Sequence, residues 1–122
     1  MKRIFTVVLI LHTLFVFAGY RSLSIEEAQK KWGRITFKAD EFKKGNFEIR
    51  AKMVVDLIDS KVFIGKEIKI VRKLLGPQDG YFINDSIPAY LLTPIKSKKM
   101  WQVVFIPDKK WQKVKKVEIK EN

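Results

Sequence analysis

The chain has 122 residues, with 25 Lys and Arg against 13 Asp and Glu, a formal net charge of +12 and no cysteine. This length is that of one domain, and its core must be held by packing alone because no disulfide can form. The composition excludes thiolate nucleophiles, cysteine metal sites and a lipid-bearing cysteine, and the charge favours an anionic partner or surface.

The first residues predict a secretion signal, which we assign to residues 1–18. Met1-Lys2-Arg3 is a basic start, and the stretch from Ile4 to Ala18 contains no Asp, Glu, Lys or Arg. We expect cleavage after Ala18, with a second candidate position after Ser24; an uncleaved single-span anchor is the alternative. Cleavage would also remove His12, the only histidine. Ser-His-Asp chemistry and zinc sites built on imidazole are then excluded.

A short helix and a linker are predicted to follow the signal. Ser24-Ile25-Glu26-Glu27 has the capping-box pattern, in which serine and glutamate bind the free N–H groups of a helix start. We therefore expect a helix from Ile25 to Trp32, and then a segment of mixed character from Arg34 to Lys44. Residues 19–45 are assigned to this helix and linker, and residues 46–122 to an α+β domain.

Two longer amphipathic helices are predicted to open the domain. The first runs from Phe47 to Ser60 behind Asn46 as N-cap, and its apolar residues recur with the 3.6-residue period of a helix. The second runs from Lys66 to Leu75 and stops at Gly76-Pro77, because proline cannot continue a helix. The side chains predicted to form its buried side are Ile68, Val71, Leu74 and Leu75.

The rest of the chain is predicted to form an antiparallel meander after a loop at residues 78–88. The three expected strands are Ala89 to Ile95, Met100 to Ile106 and Lys113 to Lys120. Trp101, Val103 and Phe105 alternate onto one face of the second strand, which we expect to face the core. Short turns between successive strands favour antiparallel pairing. The predicted fold class is therefore α+β, with a helix pair packed on a three-stranded antiparallel meander sheet.

A spaced set of residues runs through both helices into the first strand: Arg50, Met53, Asp56-Leu57, Gly65-Lys66, Val71, Leu74-Leu75-Gly76-Pro77 and Tyr90. It resembles the pattern of the SmpA/OmlA (BamE-like) and β-lactamase-inhibitor-protein-like group of small exported bacterial proteins. The resemblance covers about Arg50 to Ile119 and implies a helix pair followed by a three-stranded antiparallel sheet. Envelope-assembly members of that group are lipoproteins, whereas this chain has no cysteine to carry the lipid.

Two pairs of carboxylates are candidates for chemistry. Asp56 and Asp59 lie three residues apart on a helix, a spacing that allows acid/base work but is more typical of a solvated face beside lysines. Asp79 and Asp85 flank the loop near Tyr81, which offers too few oxygen ligands at regular spacing for calcium. We therefore predict no catalytic, metal or cofactor residues.

The C-terminal part is strongly basic. From Lys96 to Asn122 there are nine lysines against three acidic residues, with Trp101 and Trp111 among them. Lysines at turns with indoles nearby suit an anionic interface, but lysines also protect strand edges and tryptophans also fill cores. The position of Trp101 favours the core, and for Trp111 both interpretations stay open. The predicted contact residues for an anionic surface or partner are Lys98, Lys99, Lys109, Lys110 and Trp111.

These features together favour a non-catalytic exported (periplasmic) binding or adaptor protein of the bacterial cell envelope. The expected partner is an envelope protein or an anionic lipid or polyanion surface, and neither nucleic acid nor a small-molecule cofactor is expected. The alternative is a proteinaceous inhibitor of a secreted or periplasmic hydrolase. A hydrolase that uses carboxylates alone is the third hypothesis.

Overall fold

The computed structural model of the protein describes residues 21–122, which form an α+β fold as the sequence predicts. The elements in chain order are β1 (Ser22–Leu23), α1 (Ile25–Trp32), α2 (Ala39–Lys44), α3 (Phe47–Asp59), α4 (Ile68–Leu75), β2 (Ala89–Leu91), β3 (Trp101–Pro107) and β4 (Val114–Glu121). The predicted signal segment, residues 1–18, lies outside the described residues. Within 21–122, every helix is too short or too polar to cross a bilayer.

The sheet is antiparallel with the strand order β1-β4-β3-β2, so it has four strands where three were predicted. Strands β2, β3 and β4 form the expected meander. The additional strand, β1, pairs Ser22 with Lys120 and Leu23 with Ile119. Because it has two residues and its partner lies 98 positions further along the chain, no local pattern could predict it.

The helix ends follow the predicted caps. At the start of α1 the Glu27 N–H donates to Ser24 Oγ at 3.1 Å, and the Ser24 N–H donates to the Glu27 carboxylate at 3.2 Å. At the start of α3 the Ile49 N–H donates to Asn46 Oδ1 at 3.0 Å. Helix α4 ends at Gly76, whose φ of +86° is the left-handed conformation that glycine adopts without strain. These starts and stops rest on neighbouring residues, which is why the sequence predicts them.

Helix α2 is an element that the sequence did not predict. Its N-cap residue, Lys38, makes no side-chain capping bond, and its six residues amount to less than two turns. A helix this short is held by tertiary packing rather than by its own propensity. The packing comes from Phe42, which is fully buried with its ring edge-to-face against Phe37 and Tyr90.

The main core lies between the helices and one face of the sheet. Trp101, Val103 and Phe105 of β3 are buried in it, as predicted, and Ala28 of α1 and Phe42 of α2 belong to the same core. Edge-to-face aromatic contacts run through its centre, with ring centroids between 5.3 and 6.1 Å apart. Both N-terminal helices are therefore part of one packed layer with α3 and α4.

Three details differ from the prediction. Strand β2 ends at Leu91 rather than Ile95, because the Trp101 N–H donates to the Thr93 hydroxyl at 2.9 Å instead of to a backbone carbonyl. Helix α4 begins at Ile68 rather than Lys66, because the Lys66 carbonyl accepts the Val114 N–H. Leu74 was predicted to be buried, but it is 39% exposed. A helix of two turns buries only one side, and in α4 that side carries Ile68, Val71 and Leu75.

The second face of the sheet is covered by the loop between α4 and β2. Phe82 and Ile87 of this loop pack against Val104, forming a small second core. The carboxamide of Gln102, also on this face and buried, accepts the Tyr81 N–H at 2.9 Å and donates to the Tyr81 carbonyl at 2.7 Å. The loop is thus part of the fold rather than a free connection.

Candidate functional site

The structure divides the five predicted contact residues into two groups. Lys98 and Lys99 lie in the turn between β2 and β3, whereas Lys109, Lys110 and Trp111 lie in the turn between β3 and β4. Strand β3 has seven residues and separates the two turns by roughly 20 Å. A single flat surface that contacts one turn head-on therefore does not contact the other.

The turn between β3 and β4 is held in shape by Asp108. Its carboxylate accepts the N–H groups of Gln112 at 3.1 Å and Lys113 at 3.4 Å, and its own N–H donates to the Lys113 carbonyl at 2.8 Å. The backbone bond from Gln112 is the largest cause of a pKa for Asp108 below its ordinary value. The carboxylate is therefore ionised at neutral pH and engaged within its own turn.

Trp111 is presented to solvent from this turn. Its side chain is 53% exposed, and its backbone has a φ of +60°, in the left-handed region. That conformation costs a residue with a Cβ about 1–2 kcal/mol relative to right-handed backbone, which is why glycine or asparagine usually occupies it. Of the two interpretations of Trp111, this exposure excludes burial in the core. Trp101, by contrast, is 5% exposed and belongs to the core.

A second turn, between α3 and α4, lies directly against the first. The Gly65 N–H donates to the Val114 carbonyl at 2.9 Å, the Val114 N–H donates to the Lys66 carbonyl at 2.8 Å, and the Ile68 N–H donates to the Gln112 carbonyl at 2.8 Å. These three bonds join residues that flank both turns. The two turns therefore form one surface at the end of the sheet.

The α3–α4 turn is anchored by a single inward residue. Phe63 is 1% exposed, and its ring packs edge-to-face on Phe37 and Phe105, with centroids 5.7 and 5.3 Å away. Its neighbours on either side, Val62 and Ile64, are 40% and 43% exposed. Burying Phe63 turns both neighbours outward. The sequence does not indicate this exposure, because an apolar run after a helix does not reveal which of its members face solvent.

We call this surface the basic tip. It consists of Lys61, Val62, Ile64, Lys66, Lys109, Lys110, Trp111 and Lys113. Within residues 21–122, none of its five lysines forms an ion pair. The nearby Glu67 carboxylate pairs with Lys69 at 3.2 Å, and that of Asp108 is turned to its own loop. The tip thus combines unpaired positive charge with three exposed apolar side chains.

The Asp56 and Asp59 carboxylates have partners inside the protein. Arg34 donates to Asp56 and to Asp59, each at 2.9 Å. The second oxygen of Asp56 accepts the Phe37 N–H at 2.8 Å, and this bond, followed by the bond from Arg34, lowers the pKa of Asp56 below its ordinary value of 3.8. The pair therefore ties the segment before α2 to α3. Among residues 21–122, no group of three or more His, Cys, Asp and Glu side chains is arranged to hold a metal ion.

A second polar cluster surrounds Arg50, and we call it the Arg50 cluster (Phe42, Arg50, Gly76, Asp79 and Tyr90). The Arg50 guanidinium pairs with Asp79 at 2.7 Å and lies 5.3 Å from the Phe42 ring centroid. The other Asp79 oxygen accepts the N–H of Leu91, which lies in the edge strand β2. The Tyr90 hydroxyl donates to the Gly76 carbonyl at 2.7 Å, and burial raises the pKa of Tyr90 to about 12.

An apolar groove of about 500 Å³ lies at the end of the sheet away from the basic tip, between α1, α3 and the segment after β2. Trp32, Phe47, Leu92 and Pro94 form most of its wall, with Lys31 at the rim. No protein family, curated protein or solved structure matches the chain.

Proposed function

We propose that this protein is a non-catalytic, exported binding protein of the bacterial cell envelope that contacts an anionic surface through the basic tip. The observation that carries the proposal is Trp111: a large aromatic side chain, more than half exposed, held in left-handed backbone between unpaired lysines. Exposure and backbone conformation both disfavour tryptophan there on grounds of stability. A requirement for the side chain outside the fold accounts for its presence.

Export is part of the proposal and is supported by the basic and apolar pattern of residues 1–18. The fold favours the earlier of the two cleavage positions, because cleavage after Ser24 would remove β1 and the N-cap of α1. Cleavage after Ala18 retains both. We expect N-terminal sequencing of the protein from its native envelope to begin at Gly19. An intact Met1 would replace this part of the proposal with a single-span anchored domain.

The resemblance to the SmpA/OmlA (BamE-like) and β-lactamase-inhibitor-protein-like group is also retained as a proposal. Its support is the order of elements from α3 onward, two helices and then a meander. Three of the residues that carry the resemblance, Arg50, Gly76 and Tyr90, meet in the Arg50 cluster. Those positions therefore have a structural use in this chain, and the proposal extends to the fold of that group but to none of its partner contacts.

The test of anionic-surface binding is co-sedimentation of the chain from Gly19, which includes every described element, with anionic and zwitterionic vesicles. We expect binding to the anionic vesicles alone, weakening as salt screens the exposed charges. The double substitution Lys109→Glu, Lys110→Glu should abolish it. Lys98→Glu, Lys99→Glu makes the same change in net charge at the other end of β3, and should leave most of the binding intact. Equal loss in both variants would contradict a localised site.

Inhibition of a secreted or periplasmic hydrolase remains the alternative. What favours it is the exposed Trp111 on a turn that Asp108 fixes, because aromatic residues are frequent anchors of protein–protein interfaces. A mixing assay with the hydrolases of the native envelope distinguishes the two functions. Inhibition that persists at high salt and is lost in Trp111→Ala would support the alternative, because burial of an aromatic anchor does not depend on ionic strength.

A further inference from the structure

We infer that the anionic surface is a lipid bilayer, and that Val62, Ile64 and Trp111 enter its interfacial layer while the lysines of the basic tip contact lipid headgroups. The inference rests on the proposed function and names the ligand of the same site. It separates a bilayer from a soluble polyanion, which offers the same charge without an apolar layer.

The apolar side chains of the tip carry this distinction. A polyanion would be bound by the lysines alone and would leave Val62, Ile64 and Trp111 in water. A bilayer satisfies both parts of the tip, because lysines attract anionic headgroups while indole and aliphatic side chains partition into the interface. Tryptophan is the residue most suited to that depth, since its ring is apolar and its N–H remains able to bond with headgroups.

The tip is also organised before it binds. Phe63 fixes the α3–α4 turn from inside, Asp108 fixes the β3–β4 turn, and three backbone hydrogen bonds join the residues that flank them. Little conformational freedom is therefore lost when the exposed side chains enter a membrane, which favours binding by a small surface.

The distribution of charge agrees with this orientation. The Glu67 and Asp108 carboxylates are outnumbered by the five lysines of the tip, and Glu67 is already paired with Lys69. Each lysine near an anionic membrane contributes about a fivefold gain in affinity. The opposite end of the molecule has Lys98 and Lys99 in the turn between β2 and β3, together with the 69% exposed Ile95. It serves as an internal control.

The test uses the lack of cysteine in the chain. Ile64→Cys and Ile95→Cys are prepared separately in the protein that begins at Gly19, and each is labelled with an environment-sensitive fluorophore. Labelled proteins are mixed with phosphatidylglycerol-containing vesicles, with phosphatidylcholine vesicles and with soluble polyphosphate. We expect a blue shift and quenching by brominated lipid for the label at 64 with anionic vesicles alone, and neither change for the label at 95.

Trp111→Ala provides the second measurement, and circular dichroism checks that the variant folds. We expect it to weaken vesicle binding at least about tenfold while polyphosphate binding stays unchanged, because the indole contributes through burial rather than charge. Vesicle binding without a spectral change at 64 would overturn insertion and leave anionic-surface binding in place. Binding to polyphosphate but not to vesicles would overturn the lipid assignment. Binding to neither would overturn both this inference and the proposed function.

Discussion

The Arg50 cluster and the basic tip both contain cationic and aromatic residues. The side chains of the cluster are directed into the protein, whereas those of the tip are exposed to solvent. Arg50 is 9% exposed, pairs with Asp79 and lies over the ring of Phe42. In the tip, Trp111 is 53% exposed, and its lysines have no ion pair within the described part of the chain. The first region has its partners inside the molecule and the second has them outside.

This difference teaches how to assign a role to a basic residue in a chain with a net charge of +12. Charge alone does not separate a residue that stabilises the fold from one that binds a partner. Burial and the presence of an internal counter-charge do separate them. Substitutions in the Arg50 cluster should therefore lower stability and leave binding intact, and substitutions in the tip should weaken binding without lowering stability.

The largest effect is expected for Arg50→Ala. It removes the ion pair with Asp79, the bond from Nε to the Phe42 carbonyl at 3.3 Å and the contact with the Phe42 ring. Loss of one partner of a buried pair costs about 3–5 kcal/mol, and we reduce this to about 2–3 kcal/mol because the Asp79 side chain is 40% exposed. Urea denaturation measures the loss, and vesicle binding should stay unchanged.

Lys52→Ala is the matched control for that prediction. Lys52 lies on the same helix and pairs with Glu48 at 3.3 Å, but both side chains are exposed. Exposed pairs of this spacing contribute about 0.3–0.5 kcal/mol. An equal loss of stability in Lys52→Ala and Arg50→Ala would show that burial does not determine how much each ion pair contributes to stability.

A smaller effect is expected for Asp56→Asn, and it should depend on pH. The Phe37 N–H and the Arg34 guanidinium bind the ionised carboxylate and lower its pKa in the folded protein. Ionised Asp56 therefore stabilises the fold above its ordinary value of 3.8, and this contribution is lost as the pH falls through the lowered folded value. Asp56→Asn should cost about 1 kcal/mol at neutral pH and flatten the acid side of the stability curve.

Asp59→Asn serves as the comparison, because Asp59 shares Arg34 but has a 52% exposed side chain and no backbone bond of the kind that Phe37 makes. Denaturation series at neutral and acid pH should show the larger change for Asp56. If both variants gave the same acid profile, the backbone bond would not be the main cause of the shift.

The sequence predicts the elements whose stabilising contacts come from neighbouring residues. It does not predict those whose contacts come from residues far apart in the chain. Ser24, Asn46 and Gly76 act on neighbours within a few positions, and their caps are found where expected. Helix α2 depends on burying Phe42 against rings elsewhere in the chain, and the basic tip exists because two turns far apart in sequence share backbone bonds. Of the residues in the basic tip, the sequence predicted Lys109, Lys110 and Trp111 as contact residues, whereas Lys61, Val62, Ile64, Lys66 and Lys113 were not among the predicted contacts.

A small effect on stability and a separate effect on binding are expected at Lys61, where both can be measured in one residue. Lys61 follows the end of α3 with a φ of +56°, the left-handed conformation in which glycine is favoured. Lys61→Gly should therefore stabilise the fold by about 0.5–1 kcal/mol and, by removing one cation of the basic tip, weaken vesicle binding about fivefold.

Lys61→Ala separates the two effects, because it removes the same charge but keeps a Cβ in the left-handed conformation. It should weaken vesicle binding as much as Lys61→Gly without the gain in stability, measured by urea denaturation of both variants side by side. If a residue has its binding partner outside the fold, it can strengthen binding while it lowers stability, and this is what we expect of Lys61. If Lys61→Gly were more stable and bound vesicles as well as the original chain, Lys61 would belong to neither region, and the basic tip would be reduced to the β3–β4 turn with Val62, Ile64 and Lys66.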